Sequence, residues 1–313
     1  MKTLIVDCAN LAVRCWKVMP VLTNSTGKEV HVIYGVMKSL RAAIEKFGAE
    51  KVIAVFDGSP MARREIYPEY KSERTKARAE FTPDEQESYR QFRLQVDDLR
   101  RLLPLFGVVA WFHPLIEADD VIAELSVRLS QKVDDEVTIL SEDKDFIQLV
   151  RQPNLRLFRP ISNKEYTVDN FQDQTGFSSP EQYLNFRFIN GDSSDGIPPV
   201  PGFGGKEGKR ATELIQKFVT VNNIFKTRSE LPKGKTYQIL IDSKSIVIRN
   251  QLLMDLKFSK DYISQYYPCF YLDETINNSI FDEKDLKNQL IKLEFVSILN
   301  NFRTFILPFK KLI

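Results

Sequence analysis

Residues 137–145 read Val137-Thr-Ile-Leu-Ser-Glu-Asp-Lys-Asp145, an apolar, β-branched run that ends on two aspartates, Asp143 and Asp145. The same grammar occurs earlier: Leu4-Ile-Val-Asp7 and Ile53-Ala-Val-Phe-Asp57 each close an apolar strand with an acid. Residues 3–6, 51–56, 107–112 and 136–140 are the expected buried strands, and 36–47 and 121–129 the expected helices between them. Strands alternating with helices imply a mostly parallel α/β sheet, with right-handed crossovers placing helices on both faces. The carboxyl ends of parallel strands then share one edge, where open α/β folds bind ligands.

Outward from that edge, the spacing of the remaining acids becomes informative. Glu117-Ala-Asp119-Asp120 precedes the helical run Val121-Ile-Ala-Glu-Leu125, and Gly191-Asp-Ser-Ser-Asp195 adds Asp192 and Asp195. Singly, each acid reads as a turn residue or a helix cap. Together on one edge they would repel, and hard divalent cations with oxygen ligands would relieve that repulsion. The chain has only two histidines, His31 and His113, and three cysteines, Cys8, Cys15 and Cys269, so Mg²⁺ or Mn²⁺ is the expected metal, not zinc. Carboxylates holding hydrated Mg²⁺ imply phosphate chemistry, in which paired ions stabilise the attacking and leaving oxygens.

At 313 residues with 43% hydrophobic and 27% charged residues, the chain is long enough for a large core and about two domains. The apolar runs fall far short of the roughly 18 residues of a membrane span, and the amino terminus is too short in apolar residues for a signal peptide. A cytoplasmic location is expected, the host cytoplasm for a phage-encoded chain. Net charge +2 conceals segregation. Residues 61–80 carry Arg63, Arg64, Lys71, Arg74, Lys76 and Arg78, and residues 202–217 carry Lys206, Lys209, Arg210 and Lys217. Basic stretches beside acidic motifs suit a polyanionic substrate. A long polar interval at 59–94 separates the second and third strands, broken into helical pieces by Pro68 and Pro83. After about Asn154 the strands are expected to stop, giving way to a mostly helical half with a boundary near Ser178.

These motifs together resemble the 5′-nuclease family: flap endonucleases, the 5′-nuclease domain of bacterial DNA polymerase I, and phage 5′-exonucleases. LIVDCANLAVR, VFDGSPMARREIYPEYKSERTKAR, IEADDVIAEL, LSEDKDFIQLV and INGDSSDGIPPVPGFG occur in the family's order between Met1 and about Phe218. The resemblance implies a PIN-like nuclease domain over 1–178 with a helical arch at about 59–94. It implies a helical DNA-binding part over 179–313 with a helix-three-turn-helix at about 188–218. It further implies two Mg²⁺ (or Mn²⁺), with Asp7, Asp57, Glu117 and Asp119 on the first ion, Asp119 bridging both, and Asp120 acting through water. Asp143, Asp145, Asp192 and Asp195 form the second group. Tyr70-Lys71-x-x-Arg74 resembles the motif whose basic pair meets the scissile phosphate and whose aromatic stacks on a base; Lys71, Arg74 and Asp119 are therefore the expected catalytic residues. Gly202 and Gly204, with either Lys206 or Lys209, resemble the hairpin that holds duplex phosphates, sometimes with K⁺. The implied activity is metal-dependent, structure-specific 5′-3′ exonuclease and flap endonuclease cleavage of DNA with a 5′ flap, overhang or nick, in replication or repair. The implied enzyme is a stand-alone monomer, with a single-strand-binding protein or polymerase as candidate partner. A ribonuclease that removes RNA primers from RNA–DNA hybrids, and a non-catalytic junction binder, are the alternatives.

Overall fold

The structure is a computed structural model that describes residues 1–205, 208–231, 233–267 and 280–312. Six strands form one sheet: β1 (Lys2–Asp7), β2 (Lys51–Phe56), β3 (Val109–Phe112), β4 (Glu136–Leu140), β5 (Leu155–Arg159) and β6 (Lys164–Tyr166), in the order β3-β2-β1-β4-β5-β6. The first five run parallel and β6 is antiparallel to β5. Leu4, Ile5 and Val6 are fully buried because helices cover both faces, which is why these strands show no polar alternation.

From β1 the chain builds outward to β2 and β3 on one side, and β4 and β5 lie on the other. The reversal of strand order thus falls between β1 and β4, and the crevice above it is the ligand position of an open parallel sheet. Asp7 stands on one side of this switch point; Asp143, just past β4, stands on the other.

The arch interval is helical, in three pieces: α3 (Met61–Ile66), α4 (Ser72–Ala79) and α5 (Pro83–Leu102), after α1 (Cys8–Val18) and α2 (His31–Phe47). The breaks fall at 67–71, around Pro68, and at 80–82, just before Pro83. Pro83 occupies the first turn of α5, whose Thr82 and Glu85 form a reciprocal capping box. Farther on come α6 (Ala118–Leu129), α7 (Phe171–Thr175), α8 (Pro180–Asn190), α9 (Lys209–Phe218), α10 (Val221–Lys226), α11 (Lys235–Asp242), α12 (Lys244–Met254) and α13 (Ser259–Tyr266). Gly208 caps α9 with φ 51°, and a Cβ there would lie 2.6 Å from Asn190 Oδ1, so both conformation and space require glycine.

Two expectations need correction. Strands do not stop at Asn154: β5 and β6 follow it. Leu155-Arg-Leu-Phe-Arg159 buries Leu155, Leu157 and Phe158 but carries two arginines, so it lacks the uninterrupted apolar run of the central strands. The third strand starts at Val109, two residues later than expected, because Gly107 turns the chain at φ 76°.

The end of the chain folds back on the sheet. Leu286, Leu290, Phe302, Phe305, Ile306 and Phe309 are buried in the cluster that contains α2 and Phe106, with the Phe106 and Phe309 rings 4.6 Å apart. The carboxyl-terminal aromatics are therefore core.

Candidate active site

Four contributors meet above the switch point: the end of β1, the loop after β4, the loop after β2 with the start of α6, and a loop beyond α8. Asp7 ends β1, accepting the Asn10 amide at 2.9 Å and the Ser141 hydroxyl at 2.7 Å, so neutral donors from both sides of the crevice hold it. Asp143 follows β4; its amide donates to Ser141 Oγ at 3.0 Å and its carboxylate accepts the Asp145 amide at 2.8 Å. Past β2, Gly58 passes so close to the 113–116 loop that a Cβ would lie 2.2 Å from the His113 carbonyl. That approach brings Asp57 to the first turn of α6, where it accepts the Ala118 amide at 3.1 Å. Acids at a helix amino terminus meet unpaired N–H groups, which also explains Glu117, Asp119 and Asp120 at the start of α6.

The fourth contributor is the 191–197 loop, which hangs from α8 and leans on the arch. The Lys71 amide donates to the Asp195 carbonyl at 2.8 Å, and the Tyr70 hydroxyl donates to Asp195 Oδ2 at 3.1 Å. Arg74 donates to Asp195 Oδ1 at 2.6 Å. Lys71, held at φ 55°, sends its ammonium into the acids: 2.6 Å from Glu117, 3.8 Å from Asp119 and 3.9 Å from Asp195.

Cationic hydrogen-bond partners divide the carboxylates into two sets, though burial still raises Asp120 despite Arg63. Glu117 is buried, yet Lys71 and Arg63 bring it down to about 2. Arg187, buried in α8, bonds both Asp145 and Asp192, and Asp120 is bonded by Arg63. In the other set, Asp7 is pushed up to about 6 by burial, with Asp57 adding repulsion. Asp143 is pushed up to about 8 by burial and by Asp145. Burial also raises Asp119, and the charges of Asp143, Glu117 and Asp7 all act on it. These acids face one another across the switch point with too little positive charge between them.

That deficit is what a hard cation would relieve, and the donors are oxygens throughout, so the residues fit divalent ions of the Mg²⁺ type. Among the described residues no group of three Cys, His, Asp or Glu side chains closes around a single point. Lys71 stands among Glu117, Asp119 and Asp195, and Arg187 between Asp145 and Asp192.

The pH dependence follows with a definite sign. Folded pKa values above the unfolded carboxylate value mean stability that is complete below about 4 and lost as pH rises through about 6 for Asp7 and about 8 for Asp143. Metal-free protein is expected to melt at falling temperature across that window, with added Mg²⁺ restoring more at the upper end. Differential scanning fluorimetry with and without Mg²⁺ checks this; a flat metal-free profile would count against the crowding of acids.

The other expected residues are placed as follows. Tyr70 is 2% exposed and directs its hydroxyl at Asp195, so stacking on a base would require it to leave the core. Gly202 and Lys209 are exposed on the turn before α9 and on its first turn, and Arg210 donates to the Gly202 carbonyl at 3.0 Å. Gly204 packs so that a Cβ would meet Pro199 at 2.5 Å. Lys206 and Cys269 lie outside the described residues. Sequence reasoning missed Arg187 and the role of Arg63. A lone arginine within the apolar run Leu184-Asn-Phe-Arg-Phe-Ile189 was a usable signal, because buried charges are almost always paired. Arg63 gave none, sitting among many basic residues.

A mostly parallel sheet with carboxylates gathered at its switch point and Lys71 and Arg74 beside them defines an α/β nuclease of the PIN-like type. Residues 2–176 match the family model described as the 5′-3′ exonuclease, N-terminal resolvase-like domain. A 5′-3′ exonuclease of Aquifex aeolicus is 30% identical over 96% of this chain and 94% of its own. DNA polymerase I of Thermus thermophilus is also 30% identical over 96% of this chain, a match that spans 33% of the polymerase. Among solved structures, the phage T5 5′-exonuclease with bound zinc superposes with a TM-score of 0.75 at 25% identity, covering 91% of this chain and 98% of that one. The catalytic core of Rad2 in complex with DNA, at 17% identity and a TM-score of 0.52, shares the fold.

The chain belongs to the 5′-3′ exonuclease family and is a 5′-nuclease of that kind. Among the described residues no helix is long and apolar enough to cross a membrane.

Proposed function

We propose that this protein is a Mg²⁺- or Mn²⁺-dependent, structure-directed nuclease that hydrolyses DNA phosphodiesters at 5′ flaps, overhangs and nicks. The observation that carries the reading is the set of mutually repelling carboxylates, buried Asp7 and half-buried Asp119 and Asp143, beside Lys71 and Arg74. Asp7, Asp57, Glu117 and Asp119 would hold one ion, and Asp143, Asp145, Asp192 and Asp195 would support the other. When bound, such ions supply Lewis acidity and an activated water for in-line displacement at phosphorus.

The chain's own residues supply the rest. Lys71 carries a compact charge on the arch side of the cradle, suited to a phosphate oxygen, and Arg74 offers a planar fork for a second. The phosphodiester lies recessed below the arch, so a base beside the cut must leave its stack to reach it. The Gly202 turn and the amino end of α9 suit duplex phosphates, because exposed N–H groups and Lys209 meet there. Potassium at that turn would serve the same phosphates. Contacts of this sort read shape and backbone, so binding should weaken steeply with salt.

The test is cleavage of a 5′-flap duplex in Mg²⁺ and in EDTA, with a matched RNA-containing flap in parallel. Chelation should stop cutting, and the DNA flap should be cut at least as fast as the RNA one. Undiminished cutting in EDTA would overturn the metal reading, and faster cutting of RNA would move the substrate assignment to RNA primers.

A further inference from the structure

Among the described residues Arg63 heads the fully buried side chains by volume, and its place on α3 does not by itself require burial. Its guanidinium is nearly saturated. Nε donates to the Leu253 carbonyl at 2.9 Å at the end of α12. One terminal nitrogen donates to Glu117 at 2.6 Å and to Asp120 Oδ2 at 2.8 Å, and the other donates to Asp120 Oδ1 at 2.8 Å. The group lies over the Tyr262 ring at 4.8 Å, and the Ser259 hydroxyl donates to Asp120 Oδ1 at 3.0 Å. One side chain of α3 therefore touches the acidic end of α6, the end of α12 and the face of α13.

Asp120 is consumed by this arrangement. It is 2% exposed, and both of its oxygens already accept bonds from Arg63 or Ser259. Adjacent residues of a helix point about 100° apart, so Asp119 faces the cradle while Asp120 faces the carboxyl-terminal helices. Glu117 is shared: Oε2 faces Arg63, and Oε1 faces Lys71 at 2.6 Å. Arg63 thereby fixes which way Glu117 presents its free edge.

We infer that Arg63, Asp120, Ser259 and Tyr262 form a buried clasp that fastens the carboxyl-terminal helices to the acidic helix and positions Glu117, so that Asp120 serves the clasp and is not a metal ligand. Arg63 is a positioning residue in this scheme, acting on the reaction only through Glu117. The inference rests on the proposed divalent-ion reading for its consequence at the cradle; the clasp itself rests on the contacts alone.

The experiment is Mn²⁺ binding to the full chain without DNA, followed by the electron paramagnetic resonance signal of free Mn²⁺, together with hydrogen exchange across α13. Wild type should bind, and Asp119→Asn should weaken binding by about tenfold or more, on the scale of losses at metal sites. Asp120→Asn keeps an oxygen acceptor toward Arg63 and leaves Glu117 its own Arg63 bond, so Mn²⁺ affinity should fall clearly less than in Asp119→Asn while exchange in 259–266 accelerates. Arg63→Gln should lower Mn²⁺ affinity by about tenfold through a misplaced Glu117, and Arg63→Lys should recover part of it by restoring the charge. Ser259→Ala removes a single hydroxyl, so it preserves the fold and serves where the Arg63 variants do not. It should speed exchange in α13 with Mn²⁺ binding unchanged. Loss of Mn²⁺ binding in Asp120→Asn as deep as in Asp119→Asn would overturn the assignment, as would unaltered exchange in Ser259→Ala. Failure of wild type itself to bind Mn²⁺ would instead sink the divalent-ion reading, leaving the clasp to be judged by exchange.

Discussion

Asp119→Ala is expected to abolish flap cleavage, lowering the single-turnover rate by a factor on the order of 10³ or more, while DNA affinity measured in Ca²⁺ stays close to wild type. The size of the effect follows from where this carboxylate stands. Asp7 and Asp143 approach it from the two sides of the switch point, and Glu117 from its own helix, so all three charges bear on it. Lys71, 3.8 Å away, is the nearest counter-charge but gives it no short hydrogen bond, so burial and the neighbouring acids still raise it. The loss should not be an unfolding effect. Removing one of several like charges relieves repulsion in the metal-free protein, so the variant should melt no lower than wild type at alkaline pH. Measuring rate, Ca²⁺-supported binding and melting temperature on one preparation separates these terms. Normal cutting by Asp119→Ala would mean that the ions are not held where Asp7, Asp119 and Asp143 meet.

Much of this geometry was legible because parallel sheets translate sequence into position directly. A strand that ends on an acid puts that acid on the carboxyl edge, so Asp7, Asp57 and Asp143 could be brought together before any coordinates existed. β5 and β6 were not legible for the complementary reason: near the sheet edge, Arg156 and Arg159 interrupt the apolar run that marks a central strand. The carboxyl-terminal fold-back was partly legible. Phe302, Phe305 and Phe309 announce burial, but nothing local says that their partners are Phe106 and α2, hundreds of residues earlier. Least legible were the counter-charges. Which acid faces a metal and which faces an arginine depends on pairings such as Arg63 with Asp120 and Arg187 with Asp145 and Asp192. These join residues 57, 42 and 5 positions apart. Local sequence carries no record of the longer pairings, and single-residue motifs treat all the acids alike.

Lys71→Ala should lower the maximal cleavage rate by about 10²- to 10³-fold with a smaller change in substrate affinity, the loss typical of removing one preorganised charge from a reacting anion. Two roles for this lysine must be separated. Without ions it is the internal counter-charge of the cradle, bonded to Glu117 and near Asp119 and Asp195. Its removal then leaves Glu117 with Arg63 and Asp195 with Arg74 as their cationic hydrogen-bond partners. The metal-free variant should therefore melt below wild type, and Mg²⁺ should narrow the gap by taking over the neutralisation. With ions bound, the ammonium would be freed from that task to act on a phosphate oxygen, beside the charge the ions themselves would supply. Restored stability with persistently slow cleavage at saturating Mg²⁺ would establish the second role; restored cleavage would reduce Lys71 to a counter-ion. Lys71→Arg should not rescue fully. The site admits a point charge at 2.6 Å from Glu117 on a backbone pinned by the Asp195 carbonyl, and the broader planar guanidinium would overrun it.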